Sequence, residues 1–253
     1  MKKDILFIQQ NLQGGGAEKV LLDIINNFNY NKYNITLLLI DGRGVYTGQI
    51  DKRVKVLSLL TPPKITILGY LRKAQLWFVV NSYLRRRINY ILGKSRFDDI
   101  ISFMEGISAK CHGFVCQRAQ KNISWVHIDL LLNNWCLNEF KSINEQRAIY
   151  EKMDTIITVS EGAKESFKKV FPGLEIDVIY NLIDKKQIYT KAKQAPYEAK
   201  RFTVCNVGRL ANQKRQDRIV EVADICKQNG LDIDFLILGQ GPLLDMLQEM
   251  IKS

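Results

Sequence analysis

The chain has 253 residues, 46% hydrophobic and 25% charged, averages for a globular protein that exclude disorder, collagen-like repeats and low complexity. At roughly 150 residues per domain this is one large domain or two modest ones. Lys and Arg number 37 against 26 Asp and Glu, a formal net charge of +11, which points to an anionic partner: nucleic acid, a phosphorylated ligand or an acidic membrane surface.

The longest purely apolar run is 76–80, against the roughly 20 residues of a membrane span. The apolar stretch 5–8 behind Met1-Lys2-Lys3-Asp4 is shorter than the about 7 to 15 residues of a signal h-region. A cytosolic chain is expected, and the odd number of widely spaced cysteines, Cys111, Cys116, Cys136, Cys205 and Cys226, reads as reduced, mostly buried thiols.

Short β-rich runs occur at 4–8, 35–40, 54–59, 99–103, 123–126, 155–159, 176–179, 202–207 and 235–238, with helical stretches at 17–28, 139–152, 161–170 and 218–229. This βαβ alternation predicts a parallel, doubly wound α/β sheet. The polar stretch 189–200 carries Pro196 and no apolar period, so it is the expected linker. It divides a first domain, 1–190, from a second at 200–253, which is brief against the usual 100 or so residues.

Between Asp51 and Asp98 there is no acidic residue and there are eleven basic ones, so the rest of the chain is neutral. Ile67, Leu71, Ala74 and Phe78 share one helical face, and Leu84, Ile88 and Leu92 extend a second stripe. A basic amphipathic helix results, suited to anionic lipid through Arg72, Lys73, Arg85, Arg86 and Arg87, with Trp77 and Tyr83 at headgroup depth. The alternative is an ordinary surface helix. Nucleic acid is not expected, because basic residues are not interleaved with aromatics on a sheet or a known helical module.

Three glycine turns follow strands. Gly14-Gly15-Gly16-Ala17-Glu18 opens an apolar helix, a geometry that lets backbone N–H groups approach a phosphate, although it is neither G-x-G-x-x-G nor a Walker loop. Gly208-Arg209-Leu210-Ala211-Asn212-Gln213-Lys214 puts an Arg fork and a Lys point charge at a strand end, which suits a diphosphate. Gly239-Gln240-Gly241-Pro242 opens the last helix.

These turns, with Trp125-Val126-His127, Val159-Ser160-Glu161, and Ile179-Tyr180-Asn181 followed by Asp184, resemble glycosyltransferase family 4 over nearly the whole chain. The resemblance implies the GT-B architecture, two Rossmann-like α/β domains facing a cleft. It also implies a retaining transfer from a nucleotide sugar with no metal and no further cofactor. Arg209 and Lys214 would neutralise the departing diphosphate, Gly15, Gly16, Gly239 and Gly241 would border the donor, and His127 would lie at the acceptor side. The acceptor implied, together with the basic segment, is a lipid-linked or membrane-proximal glycan in surface polysaccharide assembly, at the inner face of the cell membrane.

The sequence departs from the family at Leu182, where glycine is usual. The family's pair of glutamates, seven residues apart, also falls beyond Ser253. The second domain is accordingly expected to be truncated and this chain alone to lack transfer, and the rival reading is a non-catalytic N-terminal GT-B module that binds acceptor, membrane or a partner chain. Asp232-Ile233-Asp234 reads as turn residues rather than a metal motif, and His112 as structural rather than zinc-bound. A dinucleotide oxidoreductase would want an acid about 20 residues after a G-x-G-x-x-G turn, and none is suitably placed.

Overall fold

The computed structural model describes residues 2–194 and 197–252, which form two compact units, Met1–Asp184 and Lys185–Ser253. The first unit runs β1 (Lys3–Gln9), α1 (Gly16–Asn26), β2 (Tyr33–Asp41), β3 (Lys55–Leu60), α2 (Pro62–Lys73), α3 (Trp77–Leu92) and β4 (Phe97–Ser102). It continues through α4 (Ile107–Gly113), β5 (Ala119–Val126), α5 (Ile143–Tyr150), β6 (Thr155–Thr158), α6 (Glu161–Val170) and β7 (Ile176–Val178). The seven strands are ordered β3-β2-β1-β4-β5-β6-β7, and every pairing is parallel.

Alternate residues of β1 enter two different cores. Leu6 and Ile8 pack with Val80, Leu84 and Ile88 of α3, whereas Ile5 and Phe7 pack with Leu21 and Ile25 of α1. A strand covered on both faces must be apolar at consecutive positions, which explains why β1 reads as an unbroken run.

The basic segment differs from the single amphipathic helix expected. It forms two helices, α2 and α3, interrupted at Gln75, whose φ is +59°. The break resets the helical phase, so residues on its two sides cannot form one stripe. Leu68, Val80, Leu84, Ile88 and Leu92 face the core, while Ile67 and Phe78 stand 55% and 84% exposed. A second difference lies at 139–152: Glu139 ends a 3-10 turn, and α5 starts only after Ser142, whose hydroxyl accepts the Glu145 N–H at 3.3 Å.

The second unit comprises α7 (Lys185–Gln194), β8 (Phe202–Val207), α8 (Gln216–Gln228), β9 (Ile233–Leu238) and α9 (Leu244–Lys252). Strands β8 and β9 pair in parallel. Part of the expected linker is therefore helical. The lysines, glutamines and alanine of α7 have good intrinsic helix propensity even without an apolar face. Pro196 lies outside the described residues.

Candidate functional site

Strands β1 and β4 are neighbours from which the sheet grows in opposite directions, and their carboxyl ends form the kind of crevice where open parallel sheets take ligands. Gln9 ends β1 fully buried. Its amide Nε2 donates to the Met104 sulfur at 3.1 Å, and its Oε1 has no partner among the described residues. The glycine turn follows, with Gly14 at φ +113°. The Glu18 carboxylate reaches back from α1 to accept the N–H groups of Gly14 at 2.6 Å and Gly15 at 3.1 Å. The turn thus carries its own anion, which the phosphate reading of Gly15 did not anticipate. A Cβ placed on Gly16 would meet nothing within 4 Å, so Gly16 is the open glycine of the turn.

Across the crevice stand Glu105 and His127, at the ends of β4 and β5. Glu105 is fully buried. Its Oε2 accepts the His127 backbone N–H at 2.9 Å, while Oε1 has no partner among the described residues, and burial raises its pKa. The His127 ring lies 4.9 Å from the Phe103 ring and stacks at 21° with Trp125. Both ring nitrogens lack partners among the described residues, and burial pushes the pKa down to about 4. At neutral pH the ring is uncharged, able to donate one hydrogen bond and accept another but not to act as a proton-loaded acid. Sequence reasoning missed Glu105; the available signal was an acid followed by glycine directly behind an apolar strand. The other histidine, His112, sits between Ser102 Oγ at 3.1 Å and Asn122 Oδ1 at 3.0 Å, the structural placement expected of it.

In the second unit Arg209 and Lys214 are exposed after β8, and neither forms an ion pair among the described residues. The Arg209 carbonyl is held by Gln216, a fully buried side chain whose Nε2 donates to it at 3.1 Å and to Asn206 Oδ1 at 3.4 Å. Gly239 and Gly241, expected to border the donor, are also points of close backbone approach. A Cβ on Gly239 would fall 1.8 Å from the Gly208 carbonyl oxygen, and one on Gly241 2.2 Å from that of Leu210. These glycines let the two strand-end loops lie against each other, joined by Gly208 N–H to Leu238 O and Leu210 N–H to Gln240 O, both 2.9 Å. Asp232 and Asp234 both pair with Arg201, and no group of three metal-ligating side chains occurs among the described residues.

Of the residues expected to touch lipid, Lys73, Arg85 and Arg86 are exposed. Arg72 and Trp77 turn inward: Arg72 pairs with Glu139, and the Trp77 ring lies 4.6 Å from the ammonium of Lys110. Lys110 itself is 1% exposed and donates to the Glu139 carbonyl at 2.6 Å. Arg87 donates to the Leu59 carbonyl at 3.2 Å. The outer surface of the two helices is instead apolar at Ile67, Tyr70, Phe78 and Val79.

No family model matches the chain. A Haemophilus influenzae protein described as an uncharacterized glycosyltransferase is 22% identical over 253 residues, 100% of this chain and 66% of that protein. Among solved structures, the lipopolysaccharide outer core galactosyltransferase WaaB in its apo form superposes with a TM-score of 0.65 at 18% identity, over 98% of this chain and 64% of that one. A variant of S. aureus TarM in complex with Fondaparinux, alpha-GlcNAc-glycerol and UDP gives 0.62 at 13% identity, over 100% and 75%. The chain thus spans about two thirds of the length of the first two. The fold is the Rossmann-like α/β fold of the GT-B class: the βαβ alternation pointed to the parallel α/β sheet and the family resemblance to GT-B.

Proposed function

We propose that the protein is a retaining GT-B glycosyltransferase of family 4 that moves a sugar from a nucleotide sugar to a lipid-linked or membrane-proximal glycan, without a metal. The observation that carries this reading is the pair Arg209 and Lys214, two exposed cations left unpaired among the described residues behind β8, with the Arg209 carbonyl bonded to the buried Gln216. An unpaired Arg and Lys at a strand end match a diphosphate that gains charge as it leaves. Since the TarM complex contains UDP, a uridine diphosphate sugar is the first donor to test.

In this reading the neutral His127 ring orients an acceptor hydroxyl at the β1/β4 crevice, with Glu105 holding its backbone. The basic, apolar outer surface of α2 and α3 rests on anionic lipid at the inner face of the membrane. That surface favours an enzyme with a second, membrane-borne substrate over one acting on a nucleotide sugar alone. No helix among the described residues is long and apolar enough to cross a membrane.

Calorimetric titration with UDP tests the assignment. Each of Arg209→Ala and Lys214→Ala is expected to weaken binding by roughly 10- to 150-fold, the equivalent of about 1.5 to 3 kcal/mol for a charge-assisted hydrogen bond. Unchanged affinity in both variants would overturn it.

A further inference from the structure

The break between α2 and α3 forms one wall of an open cleft in the first unit. Helix α3 ends at Leu92, five residues before β4 begins at Phe97, so its last turn lies near the amino end of that strand. Its 16 residues span roughly 24 Å at 1.5 Å each, which carries its first turn, at Trp77, to the carboxyl side of the sheet. There it meets 137–141, the segment that follows β5 and leads into α5. The cleft between them measures about 750 Å³, within the range of roughly 300 to 1,000 Å³ for small-molecule sites. Lys73, Gln75, Trp77, Asn138, Lys141 and the Arg72–Glu139 pair form its wall. Four cations and two acids meet around it. Arg72 is paired with Glu139, and the buried Lys110, whose ammonium lies 4.6 Å from the Trp77 ring, is paired with Glu145 at 3.4 Å. Lys73 and Lys141 are exposed, and neither forms an ion pair among the described residues. The main chain of Lys141 is tied down, since its N–H donates to Glu145 Oε2 at 2.5 Å.

We propose that this cleft binds an acidic sugar residue of the acceptor, a ring that carries a phosphate or a carboxylate. Lys73 and Lys141 receive the oxyanion, Trp77 the C–H face of the ring, and Gln75 and Asn138 its hydroxyls. The inference rests on the acceptor reading above and adds the chemical class of the acceptor. Three features agree on the occupant. The two lysines leave the cleft with uncompensated positive charge, so a neutral sugar would leave both ammonium groups without a counter-ion, and a flexible ammonium serves a phosphate or a carboxylate equally well. The Trp77 indole is half-buried and gives the wall an apolar surface, which a bare phosphate would leave unused. The side-chain amides of Gln75 and Asn138 each offer donors and an acceptor, the complement of sugar hydroxyls. Gln75 reaches the wall because it holds a left-handed conformation, φ +59°, one that residues other than glycine seldom adopt.

The test titrates the full chain by calorimetry with glucose 6-phosphate, galactose 6-phosphate and glucuronate, using glucose, glycerol 3-phosphate and inorganic phosphate as controls. At least one acidic sugar is expected to bind more tightly than every control by roughly 10-fold or more. Lys73→Gln and Lys141→Gln change exposed side chains and should each weaken that binding by roughly 10-fold, the low end for a charge-assisted hydrogen bond. The double variant Gln75→Gly, Asn138→Ala removes both amides, with glycine suited to the positive φ, and should bring the sugar phosphates down toward glycerol 3-phosphate. Affinity for glycerol 3-phosphate or inorganic phosphate equal to that for the acidic sugars would make this a site for a bare phosphate and overturns the proposal. So does the absence of saturable binding by any acidic sugar, or an affinity unchanged in both lysine variants. Titration of the same preparations with UDP separates the two readings: acidic-sugar binding without UDP binding refutes the donor assignment alone, and the reverse pattern refutes only the acidic-sugar site.

Discussion

The carboxylate of Glu105 holds the backbone N–H of His127 at 2.9 Å from a fully buried position, with one oxygen left unpartnered among the described residues. Desolvation outweighs the hydrogen bonds and raises the Glu105 pKa. The unfolded chain releases this proton near the ordinary glutamate value of about 4.3, while the folded protein retains it to higher pH. The folded state is therefore fully favoured below that value and loses stability as pH rises through the folded pKa. Glu105→Gln keeps an acceptor for His127 and has no proton to lose. It is expected to gain stability relative to the parent as pH increases from about 4 to 7. The depressed pKa of His127 and of His112, both about 4, acts in the opposite sense. It favours folding above about 6.5 and withdraws that support toward pH 4, equally in both proteins. Urea midpoints at several pH values check the difference, and a constant offset between variant and parent would show that Glu105 is not the titrating group.

The glycines of the two units answer to different demands. Alanine at Gly239 would force its Cβ to within 1.8 Å of the Gly208 carbonyl oxygen, so Gly239→Ala must separate the loops after β8 and β9 and should destabilise the second unit by more than 1 kcal/mol, on the order of other steric insertions into packed sites. Alanine at Gly16 meets open space at the start of α1 and should leave thermal stability unchanged or slightly improved. A stable Gly239→Ala would contradict the loop packing described here.

The strands were legible in the sequence for a physical reason: a parallel sheet buried on both faces needs consecutive apolar residues, and 5–8 and 37–40 supply them. Contacts made by single polar side chains were not legible. Nothing in the spacing of Glu18 shows that its carboxylate would occupy the Gly14 and Gly15 N–H groups. Nor does it show that Lys110 and Arg72 would turn inward onto Trp77 and Glu139. The helix over 67–78 misled because Ile67, Leu71, Ala74 and Phe78 keep a perfect period across a position, Gln75, that adopts a left-handed conformation and ends it. Arg209 and Lys214 stand out in the sequence as charges at a strand end, and both are exposed; Gln216, whose amide donates to the Arg209 carbonyl, gives no signal in composition.

The same break relocates the membrane prediction. With Arg72 and Trp77 turned inward, lipid contact should depend on Phe78, Tyr70, Lys73, Arg85 and Arg86, which are exposed. Sedimentation with vesicles containing anionic phosphatidylserine should show binding that falls as salt rises, with charges screened over about 8 Å at physiological ionic strength. The double variant Arg85→Glu, Arg86→Glu should lower partitioning by about 30-fold or more, taking about 1 kcal/mol per charge. Phe78→Ser should weaken it at all salt concentrations, whereas Trp77→Phe should have little effect. Equal binding by the charge-reversed protein would make α2 and α3 ordinary surface helices.

The second unit carries its own prediction about stability. Every residue of β8 and β9 is at least partly exposed, with Phe202 at 71% and Val207 at 75%. In β1, by contrast, the residues from Ile5 to Gln9 are all buried. The apolar side chains of α8 and α9 are similarly uncovered at Val222, Ile225 and Ile251, and among the described residues of this unit Leu210 and Leu247 alone are buried apolar side chains. Local opening is least costly where few apolar contacts must be broken and backbone hydrogen bonds lie near water. Amides of β8 and β9 should therefore exchange much faster than those of β1 and β4, and limited proteolysis should cut within 185–252 before it cuts the first unit. UDP bound at Arg209 and Lys214 should slow exchange across 206–217, because a ligand that binds only the folded form adds its binding free energy to the cost of opening. Protection in β8 equal to that in β1, with or without UDP, would mean that the exposed apolar surface of this unit is covered in solution.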